Sequence, residues 1–143
     1  MTMRLWHYTL LPYLPRLQLI SQWRECCCIA KNIAEKGTPN HVLVNRILDY
    51  PMRHFVAYSG LVYHTMIFRG YKADEYKFLR HTDYVTLYIG VSNLFEGWHD
   101  DIYLRECLYN LEEKARAGAI PADEWQIIYK RFKNFTPLWE GAI

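Results

Sequence analysis

One carboxylate is set apart by its neighbours. Between Pro15 and about Lys36 the chain reads as its clearest helix, whose polar side holds Gln18, Ser21, Gln22, Glu25 and Asn32. A purely solvated face usually carries more Lys and Glu, whereas here Glu25 is the one acid among amides and a hydroxyl. A carboxylate so placed can act as a general acid or base. Read alone, it is more often a solvated helix-surface side chain. Six histidines (His7, His41, His54, His64, His81, His99) raise the question of a metal. Glu96, His99, Asp100 and Asp101 have suitable chemistry but no ligand spacing, and helix capping by Asp100 or Asp101 explains them more simply. His54 and His64 would share a helix face about 15 Å apart, too far for one ion. No metal and no cofactor is expected. Cys26, Cys27 and Cys28 point in different directions on a helix and, with Cys107, lack paired zinc-type spacing. They read as reduced thiols of a cytoplasmic protein.

Charge is distributed unevenly over the 143 residues. Residues 1–72 carry nine Lys/Arg against three acids, residues 73–113 carry three against nine, and the formal net charge is only +2. A basic half and an acidic belt would let a polyanion be held on one side. Ordinary solvated faces give the same distribution. With 51% hydrophobic residues the chain is no candidate for disorder. No apolar run approaches a membrane span and no signal-peptide layout is present, so a soluble chain with no membrane partner is expected.

The elements that must position these side chains are helical. Pro15 suits a first turn and Gly37 a stop. Leu19, Ile20, Trp23, Cys27, Ala30 and Ala34 form the inward stripe between them. Asn40 should cap a short helix running to Asp49. Pro51 to Arg69 reads as a second long helix stopped by Gly70, with Met52, Phe55, Val56, Ser59, Val62, Tyr63, Met66 and Ile67 inward. Residues 74–96 are ambiguous: Tyr84 to Ile89 fits either strand or buried helix. A helix capped by Asp100 or Asp101 should run to Arg116 and end at Gly118. Another should start at Pro121, with Trp125, Ile128 and Phe132 inward, before an irregular tail from Phe135. An all-α bundle forming a single domain over residues 1–143 is expected.

Against that background a resemblance emerges. Met3-Arg4-Leu5-Trp6-His7, Leu14-Pro15-Arg16 and Trp23-Arg24-Glu25-Cys26-Cys27 resemble the opening of bacterial members of the pyrimidine-dimer DNA glycosylase (endonuclease V) family. The likeness continues weakly through Pro51, His54, Tyr58 and Arg69-Gly70-Tyr71, and fades after about residue 75. Thr136-Pro137-Leu138-Trp139 is faintly similar to the family's aromatic C-terminal end. The resemblance implies an all-helical enzyme that cuts the glycosidic bond of a pyrimidine dimer with its own N-terminal amine. It then nicks the backbone by elimination. It implies catalytic roles for Glu25 and, given a small insertion in the lead-in, Thr2. Arg4 and Arg24 match family arginines. Leu17-Gln18 stands where the family has a DNA-contacting Gln-His pair, and Cys28 where it has a second arginine.

The residues are compatible with that chemistry. Removal of Met1 would expose the Thr2 amine, whose reference pKa of about 7.7–8.0 leaves much of it nucleophilic near neutrality. Glu25 could protonate the sugar oxygen or base, steady the imine, and later move a proton. Arg4, Arg16, Gln18, Arg24 and Lys31 are the candidates for contacts with damaged duplex DNA, with Lys130, Arg131 and Lys133 as a second strip. Trp139 suits either a distorted base step or the core. A monomeric repair enzyme is the expectation. A non-catalytic DNA-binding or protein-interaction module on the same scaffold is the alternative, and a hydrolase of another damaged base is a third reading.

Overall fold

Local signals in the chain set where each helix starts and stops. The computed structural model describes residues 4–36, 41–87 and 90–141. Among them are a 3-10 helix (Tyr8–Tyr13) and six α-helices: α1 (Arg16–Lys36), α2 (Val42–Leu48), α3 (Met52–Phe68), α4 (Tyr76–Leu79), α5 (Asp101–Arg116) and α6 (Ala122–Phe132). The described residues contain no strand, so the protein is all-α as its sequence suggests.

Caps follow the sequence closely. Asp100 caps α5, its carboxylate accepting the Tyr103 N–H at 2.9 Å. Gly70 and Gly118 end α3 and α5 at φ 79° and 80°, a left-handed region that glycine enters without steric cost. In both cases the following amide, Tyr71 or Ala119, reaches back to a carbonyl in the last turn at 2.9 Å, closing the helix end. The expected stop at Gly37 and cap at Asn40 lie outside the described residues, and His41 caps α2 instead. The Arg16 N–H, in the unpaired first turn of α1, is met at 2.6 Å by Glu124 of α6.

The lead-in is core. Leu5, Leu10, Leu11 and Leu14 are each at most 1% exposed, worth about 1.5–3 kcal/mol apiece in transfer from water. Their burial offsets much of an ordering cost of about 1–2 kcal/mol per residue and docks the segment between α1, α3 and α5. The first half of α3 is therefore enclosed almost all round, with His54, Ala57 and Tyr58 buried beside the expected stripe. Ile67, expected inward, is 44% exposed because the far end of α3 runs past its neighbours. On α1 the inward stripe is rotated: Cys26 and Ile29 are buried, Ala34 is exposed, and Gln22 from the supposed polar face is 1% exposed. The three adjacent thiols do diverge, Cys26 being buried, Cys27 half-buried and Cys28 exposed. Tyr84 to Leu87 are irregular rather than strand or helix, and the remainder of that stretch lies outside the described residues.

His99 locks the loop before α5 onto the lead-in. Its Nδ1 accepts the Tyr8 N–H at 3.1 Å, and its ring sits among those of His7, Tyr8, Tyr58, Phe95, Trp98 and Tyr103. Burial, helped by His7 and Arg46, pushes the imidazole down to about 2. His7 is also lowered by burial, although Asp100 and Asp101 oppose this. Both rings are thus held neutral in the folded chain, while an unfolded histidine protonates near 6.5. Below about pH 6.5 the unfolded state binds more protons, so stability falls as pH falls, by about 1.4 kcal/mol per pH unit for a fully linked histidine. Melting temperature should drop between pH 7 and 5. His99→Asn, which keeps an acceptor for Tyr8, should flatten that slope; an unchanged slope would show that His99 is not its source.

Candidate active site

The site begins with a glutamine. Gln22 lies one turn before Glu25 and is pinned on every side. Its Oε1 accepts the Trp6 N–H at 2.8 Å, and its Nε2 donates to Arg4 O at 3.0 Å and to Glu25 Oε2 at 3.2 Å. Tyr58 Oη shares its proton between Trp6 O (2.6 Å) and Gln22 Oε1 (3.0 Å). From α5, Tyr103 Oη donates to Leu5 O at 2.6 Å. Consecutive backbone groups of Arg4, Leu5 and Trp6 are therefore fixed by side chains of α1, α3 and α5. Such polar groups, once out of water, cost about 1–3 kcal/mol each if left unpaired.

This arrangement brings Arg4 to Glu25. The Glu25 carboxylate accepts hydrogen bonds from the Arg4 backbone and from Gln22, and the Arg4 guanidinium attracts it. Partial burial outweighs these and pushes the carboxyl above its ordinary value, favouring a group that can hold a proton nearer neutrality. The Arg4 guanidinium lies 5.0 Å from the centre of the Trp6 ring. A cleft of about 320 Å³ opens over the carboxyl, lined by Arg4, Trp6, Leu17, Gln18, Ser21, Gln22, Glu25, Asn110 and Lys114. The Gln18 Oε1 is buried there with no partner.

Of the residues singled out in the sequence, Arg4, Gln18 and Glu25 share this cleft. Thr2 lies outside the described residues. Arg16 is on a neighbouring face, its guanidinium 5.6 Å from the Tyr71 ring. Arg24 lines a separate groove with Trp23, Cys27, Cys28, Lys72 and Lys77, because successive residues of a helix point about 100° apart. Lys31 is exposed further along α1. On α6, Arg131 donates to Tyr13 Oη at 3.1 Å. Trp139 is tied to the body through Trp125 Nε1 and Glu112 and stacked by Arg116. His54 and His64 are used singly, near Phe95 N and Leu87 O. Among the described residues no three His, Cys, Asp or Glu side chains converge on one point, and no helix is long and apolar enough to cross a membrane.

The sequence reading missed Gln22, Tyr58, Tyr103, Asn110 and Lys114. Gln22 left a signal as an amide three residues before the lone carboxylate on the same face, and Tyr58 as a position of the family resemblance. A family model described as pyrimidine dimer DNA glycosylase matches residues 3–79, more than half of the chain, from Met3 through α1, α2, α3 and α4. Neither a curated protein nor a solved structure matches. The matched segment holds both Arg4 and Glu25 and the buried Gln22–Tyr58 pair that joins them, and the chain belongs to the pyrimidine dimer DNA glycosylase family.

Proposed function

We propose that this protein is a DNA repair glycosylase with AP-lyase activity, acting on pyrimidine dimers or related lesions in duplex DNA through the Thr2 α-amine. The observation that carries the reading is the docking of Arg4 against Glu25 under an open cleft. Only Met3 lies between Thr2 and Arg4, and an extended chain spans at most about 3.6 Å per residue. An amine at Thr2 is thereby tethered within reach of the Glu25 carboxyl.

The amine nitrogen bonds to C1′ as the glycosidic C–N bond breaks, and Glu25 supplies the proton taken up by the departing base or ring oxygen. Loss of the amine proton and opening of the sugar give an imine. Glu25, now a carboxylate, steadies that cation and removes a C2′ proton. The C3′–O bond then breaks, the phosphate leaves, and water returns the amine. Arg4, Gln18 and, beyond the cleft, Arg16, Arg24 and Lys31 supply contacts to the duplex. One chain provides all these groups, so a monomer suffices. The free thiols fit the reducing cytoplasm.

A duplex carrying one cyclobutane dimer provides the test. Cleavage at the lesion, with an unsaturated sugar on the 3′ end of the upstream fragment, is the expected result. Tight binding to the same duplex without cleavage would favour a non-catalytic module, and activity confined to damaged purines would favour a different hydrolase.

A further inference from the structure

Two residues of the cleft wall come from a part of the chain that the family model does not match. Asn110 and Lys114 sit four apart on α5, on one face of that helix, and both line the cleft together with the α1 residues. α5 is held rigidly for this: Leu104, Cys107, Leu108 and Leu111 are buried, and Tyr103 bonds the lead-in directly. The neighbouring cation, Arg116, is taken up by Glu112 at 3.5 Å and by the Trp139 ring. Lys114 is exposed and has no ion-pair partner among the described residues. Asn110 commits its Nδ2 to Glu106 O at 2.8 Å, which leaves its carbonyl oxygen available.

We propose that Lys114 holds a backbone phosphate of the damaged strand in the cleft it shares with Arg4, with Asn110 beside it taking a donor from the same nucleotide. This rests on the repair reading above and names the second wall of that site. Arg4, Glu25 and Lys114 line one cleft, so a strand whose phosphates meet the two cations there brings its sugar near the carboxyl. A cation on a phosphate positions DNA without reading its sequence. Lys114 also stands in the last turn of α5, where a cation favours the helix end. That role would alter stability and leave DNA affinity alone.

Duplex binding by Lys114→Gln and Lys114→Arg, measured across salt concentrations, separates the two. Lys114→Gln should bind damaged and undamaged duplex several-fold more weakly at low salt, with the log–log salt slope reduced by about 0.9. Lys114→Arg should restore both. An unchanged affinity and slope in Lys114→Gln would overturn the assignment while leaving the catalytic reading intact. A borohydride adduct mapped to Lys114 would overturn it too, and with it the role given to the Thr2 amine. A protein that shows the Lys114 dependence but never cleaves would keep this phosphate contact and end the catalytic reading. One that binds no duplex would end both.

Discussion

Glu25→Gln is expected to lower lesion cleavage by about 10²- to 10⁴-fold, the range typical for losing a positioned acid–base group, without lowering the melting temperature. The two halves of this result come from one feature. Partial burial raises the Glu25 carboxyl above its ordinary value, so the ionised form is less comfortable folded than unfolded. Through the window between the ordinary value near 4.5 and the raised one, the folded chain binds more protons, and stability falls as pH rises. Above that window the penalty is complete. Glutamine has nearly the same shape, carries no charge, and can still accept from the Arg4 backbone. The variant should therefore be at least as stable at pH 7, and should bind damaged duplex as well as the parent. Single-turnover cleavage and thermal melting check the two halves together. Cleavage at the parental rate would remove Glu25 from the mechanism. Lost cleavage with a melting temperature several degrees lower would show that the carboxylate is chiefly structural.

Gln22→Leu should have the largest effect of any residue that does not touch substrate. Leucine fills the space but leaves the Trp6 N–H without its acceptor and frees the Arg4 carbonyl and Glu25 from their donor. One buried unpaired amide costs about 1–3 kcal/mol, a melting-temperature loss of about 3–10 °C at this size. The lead-in is expected to loosen first, because Trp6 and Arg4 lose their fixed positions while Leu10, Leu11 and Leu14 stay buried. Cleavage should fall with it, since misplacing a reacting group by about 1 Å can cost 10²-fold. Tyr58→Phe is the comparison: it removes one hydroxyl from the same network and leaves the Trp6 N–H paired. It should cost less on both counts. Faster amide exchange at Trp6 in Gln22→Leu, with α6 unaffected, would locate the change. Parental stability and activity in that variant would mean the lead-in is held by its leucines alone.

Much of the scaffold can be read from the chain because its signals are local. Pro15, Pro121 and Asp100 start helices, Gly70 and Gly118 stop them, and Trp125, Ile128 and Phe132 recur at helical spacing and are buried. The position of Glu25 was legible from its polar face and from the family resemblance. What held it in place was not. Tyr58 reaches Trp6 across 52 residues, Tyr103 reaches Leu5 across 98, and His99 reaches Tyr8 across 91. No periodicity records such pairings, and a tyrosine-rich chain offers too many candidates. The α1 stripe was misjudged for a related reason: an amide that satisfies three buried partners behaves as a core residue. Residues 80–87 and 90–99 carry little helical or strand regularity, and their order comes from contacts such as Phe95 N–H to His54 and Tyr50 Oη to Glu96 O.

Borohydride reduction during reaction with a dimer-containing duplex, followed by peptide mapping of any protein–DNA adduct, reaches the chemistry itself. The N-terminal peptide carrying Thr2 should bear the sugar remnant, with no adduct in Glu25→Gln or in protein whose amino terminus has been acetylated. An adduct at any other amine, or efficient cleavage with nothing trapped, would contradict the mechanism.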